Sequence, residues 1–218
     1  MKKEKQVVTV IKILKKYQKS KRKTNLNREA RKYTPFQTLI SCILSLRSRD
    51  EITEKVSKKL FQAAKTPKEI LRLPQKRLEK LIYSSGYYRN KAKTIKEIAK
   101  HIIKYHNGKV PSKEEHLLAI RGVGRKTANI VLSLAYNKKA IPIDTHCHRI
   151  PNRLGLIRTK TPEQTEQELM KILPKEYWNE FNGIFVLFGR TICTPISPKC
   201  SVCPIKRYCR KVGVKSSR

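Results

Sequence analysis

The chain has 218 residues, with 51 Lys or Arg against 16 Asp or Glu, a formal charge of +35. That length suits one large domain or two small ones, and an apolar content of 39% suits a packed core. No run of about 18 apolar residues exists, so no stretch of this sequence is expected to span a membrane as a helix, and so large a positive excess points to a polyanionic partner, DNA or RNA. A lysine-rich proteome would raise the charge as well. Heat-adapted surfaces raise Lys and Glu together, and here the acids are scarce.

The N-terminus begins Met-Lys-Lys-Glu-Lys, but Lys12, Lys15 and Lys16 break the apolar stretch behind it. A secretory signal needs an uninterrupted apolar region, so the reading is a cytosolic protein. Val7, Val10, Ile11, Leu14 and Tyr17 fall on one helical face. The basic run Lys19 to Lys23 reads as a solvated connector. Thr34-Pro35 opens an apolar helix from Phe36 to Leu46, and Asp50 is placed to cap a further helix over roughly residues 51 to 64. Pro67 and Pro74 mark the starts of short helices. Residues 88 to 106 give a longer basic helix that ends at Asn107-Gly108.

Leu117 to Ala128 carries the strongest local signal. A short helix meets a turn, Gly122-Val123-Gly124, and another helix starts at once with Arg125 and Lys126. Glycine permits backbone conformations that other residues resist, and a bare backbone can approach another chain closely. The N–H groups of the turn and of the new helix then face outward, ready for a phosphate. This is a helix-hairpin-helix pattern, which grips DNA without reading bases. Lys126 lies in the first turn of the second helix. The positive end of a helix disfavours a second positive charge, and a neutral amine is a nucleophile. The helix is expected to run to about Tyr136. Ala140 to Ile143 then returns as the only extended piece and brings Asp144 back toward Lys126. Asp144 precedes Thr145-His146-Cys147-His148-Arg149, so a plain N-cap is its alternative role. Pro162 and Lys175-Glu176 open two more helices. Cys193, Cys200, Cys203 and Cys209 follow as C-x6-C-x2-C-x5-C, four thiols that suit either zinc or an iron–sulfur cluster. Cys42 and Cys147 lie in helical stretches and read as core packing.

Gly-Val-Gly-Arg-Lys-Thr-Ala-Asn, the eighteen-residue step from Lys126 to Asp144, and Ile-Asp-Thr-His resemble the endonuclease III family. The similarity runs from Pro35-Phe36 to Cys209. The resemblance implies an all-α, two-domain helix-hairpin-helix DNA glycosylase fold: a six-helix barrel over residues 28–138, and an iron–sulfur cluster domain joining residues 1–27 to 139–218. It implies a bifunctional glycosylase and lyase of base excision repair, acting on oxidised pyrimidines in double-stranded DNA and on abasic sites. Lys126 would attack the sugar C1′ and Asp144 would stabilise positive charge on the sugar. The four cysteines would hold a [4Fe–4S] cluster. A monomer associated with the nucleoid in the cytoplasm is expected. Gly122, Val123, Gly124, Arg125 and Lys199 would touch DNA, and His146 would contact phosphate or cap locally.

Two departures from the family pattern stand out. Where well-known members fill the gap left by an extruded base with a Gln after Leu-Ser-Ala, this chain has Arg47. Where a Leu before Tyr wedges from the other strand, it has Tyr87. The loop between the first two cysteines, Thr194 to Lys199, holds only Lys199 as a cation, with Arg190, Lys206 and Arg207 nearby. A mismatch-specific glycosylase and a DNA-binding module without chemistry are the competing readings. Related thymine-mismatch enzymes carry a Tyr at the position of Lys126, which favours a lyase.

Overall fold

The computed structural model describes residues 2–20 and 33–218, and every regular element among them is helical. These residues fall into two compact units, one made of residues 33–138 and one made of the N-terminal helix with residues 139–218.

Within residues 33–138, α2 (Pro35–Ser45) is central. Thr34 and Gln37 form a capping box around Pro35 at the first helical position, which fixes the start of the helix. Phe36, Leu39, Ile40, Ile43 and Leu44 are buried along it; each such side chain is worth about 1.5–3 kcal/mol relative to exposure. Around it come α3 (Asp50–Ala63), α4 (Pro67–Arg72), α5 (Gln75–Leu81), α6 (Tyr88–His106), α7 (Glu114–Leu118) and α8 (Arg125–Ile130). These are seven helical segments among the described residues, because Pro67 and Pro74 break the chain into two short helices before α6. Asp50 is not the cap of α3. Arg49 takes the extended cap conformation and Asp50 is already in the first turn, where its charge still suits the helix dipole. α6 ends on Asn107 in the left-handed region, as its Asn-Gly signal requires. The stretch after α8, Val131–Ala135, continues as a π-helix, so the hairpin's second arm reaches the expected length with a change of winding.

The other unit is built on aromatic packing. Its elements are α1 (Lys3–Ser20), α9 (Thr145–Leu154), α10 (Pro162–Ile172) and α11 (Trp178–Thr191). Lys175–Tyr177 forms a short 3-10 turn before α11, so that helix starts three residues later than Lys175-Glu176 suggests. Phe181, Phe185 and Phe188 of α11 are fully buried, with the first two rings stacked at 4.1 Å. The apolar face of α1, with Val7, Val10, Ile11 and Leu14, is fully buried in the same core. Lys15 Nζ lies 2.7 Å from Glu180 of α11, and Gln6 Nε2 donates to the Tyr208 carbonyl. The half-exposed ion pair is worth under about 1 kcal/mol, so the apolar face holds α1. Of the basic connector, Lys19 lies in the last turn of α1, and Lys21 to Lys23 lie outside the described residues, as does the expected boundary near residue 28. The extended piece Ala140 to Ile143 has no partner strand among the described residues. Asn179 Oδ1 accepts from the Ala140 N–H and Asn182 Nδ2 donates to the Pro142 carbonyl, so two asparagines of α11 stand in for a strand edge. No helix is long and apolar enough to cross a membrane among the described residues.

Candidate active site

The hairpin follows from two glycines with different duties. Gly122 has φ +90°, and a Cβ there would sit 2.7 Å from Thr94 Cγ2 of α6, so both conformation and space demand glycine. Gly124 caps α8 in extended geometry and a Cβ there would meet nothing within 4 Å. Its bareness is of no use inside the unit and leaves the turn open to an outside group. Arg125 Nη2 pairs with Glu114 Oε1 at 3.4 Å across the hairpin, bracing its two arms. Thr127, Ala128 and Asn129 are buried, while Lys126 is exposed in the first turn. Cys42 of α2 is only half-buried and is not part of the packed core, and burial pushes its thiol up to about 12 against the opposing pull of the Lys126 charge.

Asp144 is the N-cap of α9. Its Oδ1 accepts from the His146 N–H at 2.9 Å and the Cys147 N–H at 2.8 Å. Both bonds fall on one oxygen, so the cap role leaves Oδ2 outside it. Cys147 is buried in the aromatic core, and burial raises its thiol well above the ordinary range. His146 does not cap its helix. Its ring lies against Gly189 of α11, where a Cβ would approach Nδ1 to 2.3 Å. Arg149 Nη2 lies 3.0 Å from His146 Nδ1. Arginine has no acceptor, so Nδ1 accepts and the ring proton resides on Nε2.

The same helix reaches the cysteines. Arg149 Nη2 donates to the Cys193 carbonyl at 2.9 Å. Arg153, 9% exposed, donates to the Thr194 carbonyl at 2.6 Å and the Pro195 carbonyl at 2.5 Å, with Cys193 Sγ at 3.5 Å. Cys193, Cys200, Cys203 and Cys209 line one apolar cavity with Phe188 and Arg153. Burial raises the free thiols of Cys203, to about 11, and of Cys209. Bound iron would reverse that, since a coordinating thiol is deprotonated. Among the described residues no three His, Cys, Asp or Glu are grouped to hold a single metal ion. The Thr194–Lys199 loop carries an exposed Lys199, and Ile196 at its tip is 85% exposed.

Arg47 and Tyr87, forty positions apart, come together. Arg47 Nη1 donates to Tyr87 Oη at 3.1 Å, and the guanidinium carbon stands 5.3 Å from the ring centre. Both have left-handed backbones, φ 52° and 59°, and both side chains are exposed.

Residues 40–175 match the family model of the HhH-GPD superfamily base excision DNA repair protein, and residues 193–209 match the iron–sulfur binding domain of endonuclease III. Endonuclease III of Thermotoga maritima is 50% identical over 175 residues, covering 80% of this chain and 82% of that protein. The chain belongs to the endonuclease III family. A solved trapped endonuclease III–DNA covalent intermediate superposes with a TM-score of 0.77 at 41% identity, over 82% of this chain and 84% of that one. A thermostable thymine-DNA glycosylase superposes with a TM-score of 0.84 at 28% identity, over 96% of each. As a member of the endonuclease III family the chain is a base-excision repair enzyme, a DNA glycosylase and AP lyase, with the all-α helix-hairpin-helix fold and an iron–sulfur cluster. Two residues of this site carry no expectation from the sequence. Arg149 and Arg153 stand at i and i+4 on α9, a spacing that puts both on the face toward Cys193 and was available to be read.

Proposed function

We propose that this enzyme removes oxidised pyrimidines from double-stranded DNA and cleaves the strand 3′ to the resulting abasic site, with Lys126 as nucleophile. The observation that carries the reading is an exposed lysine in the first turn behind an open Gly-x-Gly hairpin, with its three successors buried. The Lys126 amine forms a bond to C1′ as the bond to the base breaks. Ring opening gives a Schiff base, loss of a C2′ proton expels the 3′ phosphate by β-elimination, and water releases the amine. Asp144, through Oδ2, stabilises positive charge on the sugar and relays protons. Gly122, Val123, Gly124 and Arg125 hold the DNA backbone, with His146 and Lys199 as further contacts. Arg47 and Tyr87 enter the space left by the extruded base.

Cys193, Cys200, Cys203 and Cys209 would hold a [4Fe–4S] cluster, which pins the C-terminal segment as a structural core. The donor set fits: four cysteines around one apolar cavity, with Arg153 beside Cys193 Sγ and the Lys211 N–H donating to Cys209 Sγ. We place the enzyme on cytoplasmic DNA as a monomer. Borohydride tests the nucleophile. Wild type should be trapped covalently on abasic DNA, and Lys126→Gln should lose trapping and nicking while still binding duplex. Unchanged trapping in the variant refutes the assignment.

The thymine-DNA glycosylase likeness and Arg47 favour a second activity on bases opposite guanine, since guanine O6 and N7 suit a bidentate arginine. Cleavage of thymine glycol should be higher opposite guanine than opposite the other three bases. Equal rates would leave Arg47 a phosphate contact.

A further inference from the structure

Lys91 lies in the first turns of α6 and is 6% exposed, an unusual place for an ammonium. Its three N–H donors meet three acceptors: the Leu44 carbonyl at 2.8 Å, Ser48 Oγ at 3.0 Å and Ser85 Oγ at 2.7 Å. The acceptors are linked among themselves. Ser85 Oγ donates to the Leu44 carbonyl, and Ser48 Oγ and Ser85 Oγ are 3.1 Å apart. The four groups bracket two other residues. Leu44 and Ser48 flank Arg47, and Ser85 and Lys91 itself flank Tyr87. Those two carry left-handed backbones. Side chains larger than glycine are strained in that conformation, so something must hold it. The loops also meet closely: a Cβ at Gly86 would stand 3.2 Å from the Arg47 carbonyl.

We propose that Lys91 is a positioning residue, a buried hub that locks the Arg47 loop to the Tyr87 loop. The two exposed side chains are then presented to DNA as one preformed wedge before a base leaves the stack. The inference rests on the reading of Arg47 and Tyr87 as gap-filling residues and adds to it the residue that orders them. Preorganisation matters because a flexible arginine and tyrosine would have to be ordered during extrusion, and a small misplacement is costly in rate. An abasic site needs no base extruded, so the hub should matter for base release and far less for strand cleavage at an abasic site.

The test compares single-turnover rates on thymine glycol duplex and on the same duplex with a preformed abasic site. Lys91→Met keeps the length and removes the donors. It should slow base release by about tenfold or more and change abasic nicking by less than about threefold. A 2-aminopurine beside the lesion should lose its fluorescence rise under saturating variant. In an Arg47→Ala/Tyr87→Ala background, Lys91→Met should add no further loss on thymine glycol, because the pair it positions is gone. Equal loss on both substrates, or a full further loss in that background, overturns the proposal in favour of a purely structural lysine. No loss at all overturns it too. If Lys91→Met does not fold, Ser48→Ala/Ser85→Ala removes two of the acceptors and is judged by the same comparison. A wild-type rate for Arg47→Ala/Tyr87→Ala alone would instead overturn the gap-filling reading beneath it.

Discussion

Because both cap bonds of Asp144 land on Oδ1, one carboxylate can close a helix and still present a second oxygen. Asp144→Asn keeps an amide oxygen for the cap and loses the charge. Its melting temperature should stay near wild type, while base release falls by about 100-fold or more. Near-normal turnover would leave Asp144 a cap alone. Lys91 gives a second prediction, in pH. Burial pushes its ammonium from 10.5 down to about 8. Between those values the folded chain binds fewer protons at this site than the unfolded chain, so stability contributed here rises with pH. The penalty is fully present below 8 and relieved toward 10.5. Wild type should therefore gain stability relative to Lys91→Met in urea titrations as pH climbs through that window; a constant difference would mean that Lys91 does not titrate there. Lys126 and Asp144 are singled out in the sequence by a motif and a spacing, and the structure adds that one is exposed in the first turn of α8 and the other caps α9. Lys91 was illegible because one lysine among 51 cations looks like surface. Its burial depends on acceptors at positions 44, 48 and 85, which no local pattern brings to it.

At the scale of the element, the hairpin's glycines can be separated by experiment. Gly122→Ala imposes both a left-handed backbone and a clash with Thr94, which should cost about 1–3 kcal/mol of stability. Gly124→Ala meets no protein atom, so stability should hold while duplex affinity falls, as expected if a phosphate approaches the bare backbone. Thermal melting read beside binding to undamaged duplex checks the pair; unchanged affinity for Gly124→Ala would remove that turn from the DNA grip. Helix starts at Thr34-Pro35, Thr66-Pro67 and Thr161-Pro162 were readable because cap and proline act within four residues. The start of α3 was misassigned because Asp50 suits a cap and a first turn alike, and only the backbone of Arg49 decides. The π-helical winding of Val131–Ala135, a segment that lies against α2, has no local sequence signature.

For the whole molecule, charge and iron are the measurable quantities. With 51 cations on 218 residues, binding should weaken steeply with salt, and the logarithmic slope counts the phosphates neutralised. Purified anaerobically, the protein should be brown with about four irons and four sulfides per chain; one zinc without sulfide would refute the cluster type. Cys200→Ala should lower the melting temperature of the unit holding residues 139–218 and weaken DNA binding, while the Lys126 amine stays reactive toward an abasic aldehyde. The expectation of two domains came from family resemblance rather than periodicity, because helical patterns do not say which helices share a core. That shared core carries a cost in time. Gln6 of α1 bonds to the carbonyl of Tyr208, 202 positions further along the chain. At about 5–20 residues per second of synthesis, roughly ten seconds or more separate the two ends of that bond. The four apolar side chains of α1 pack with residues from position 141 onward, so during synthesis that face waits for a segment more than a hundred residues behind it.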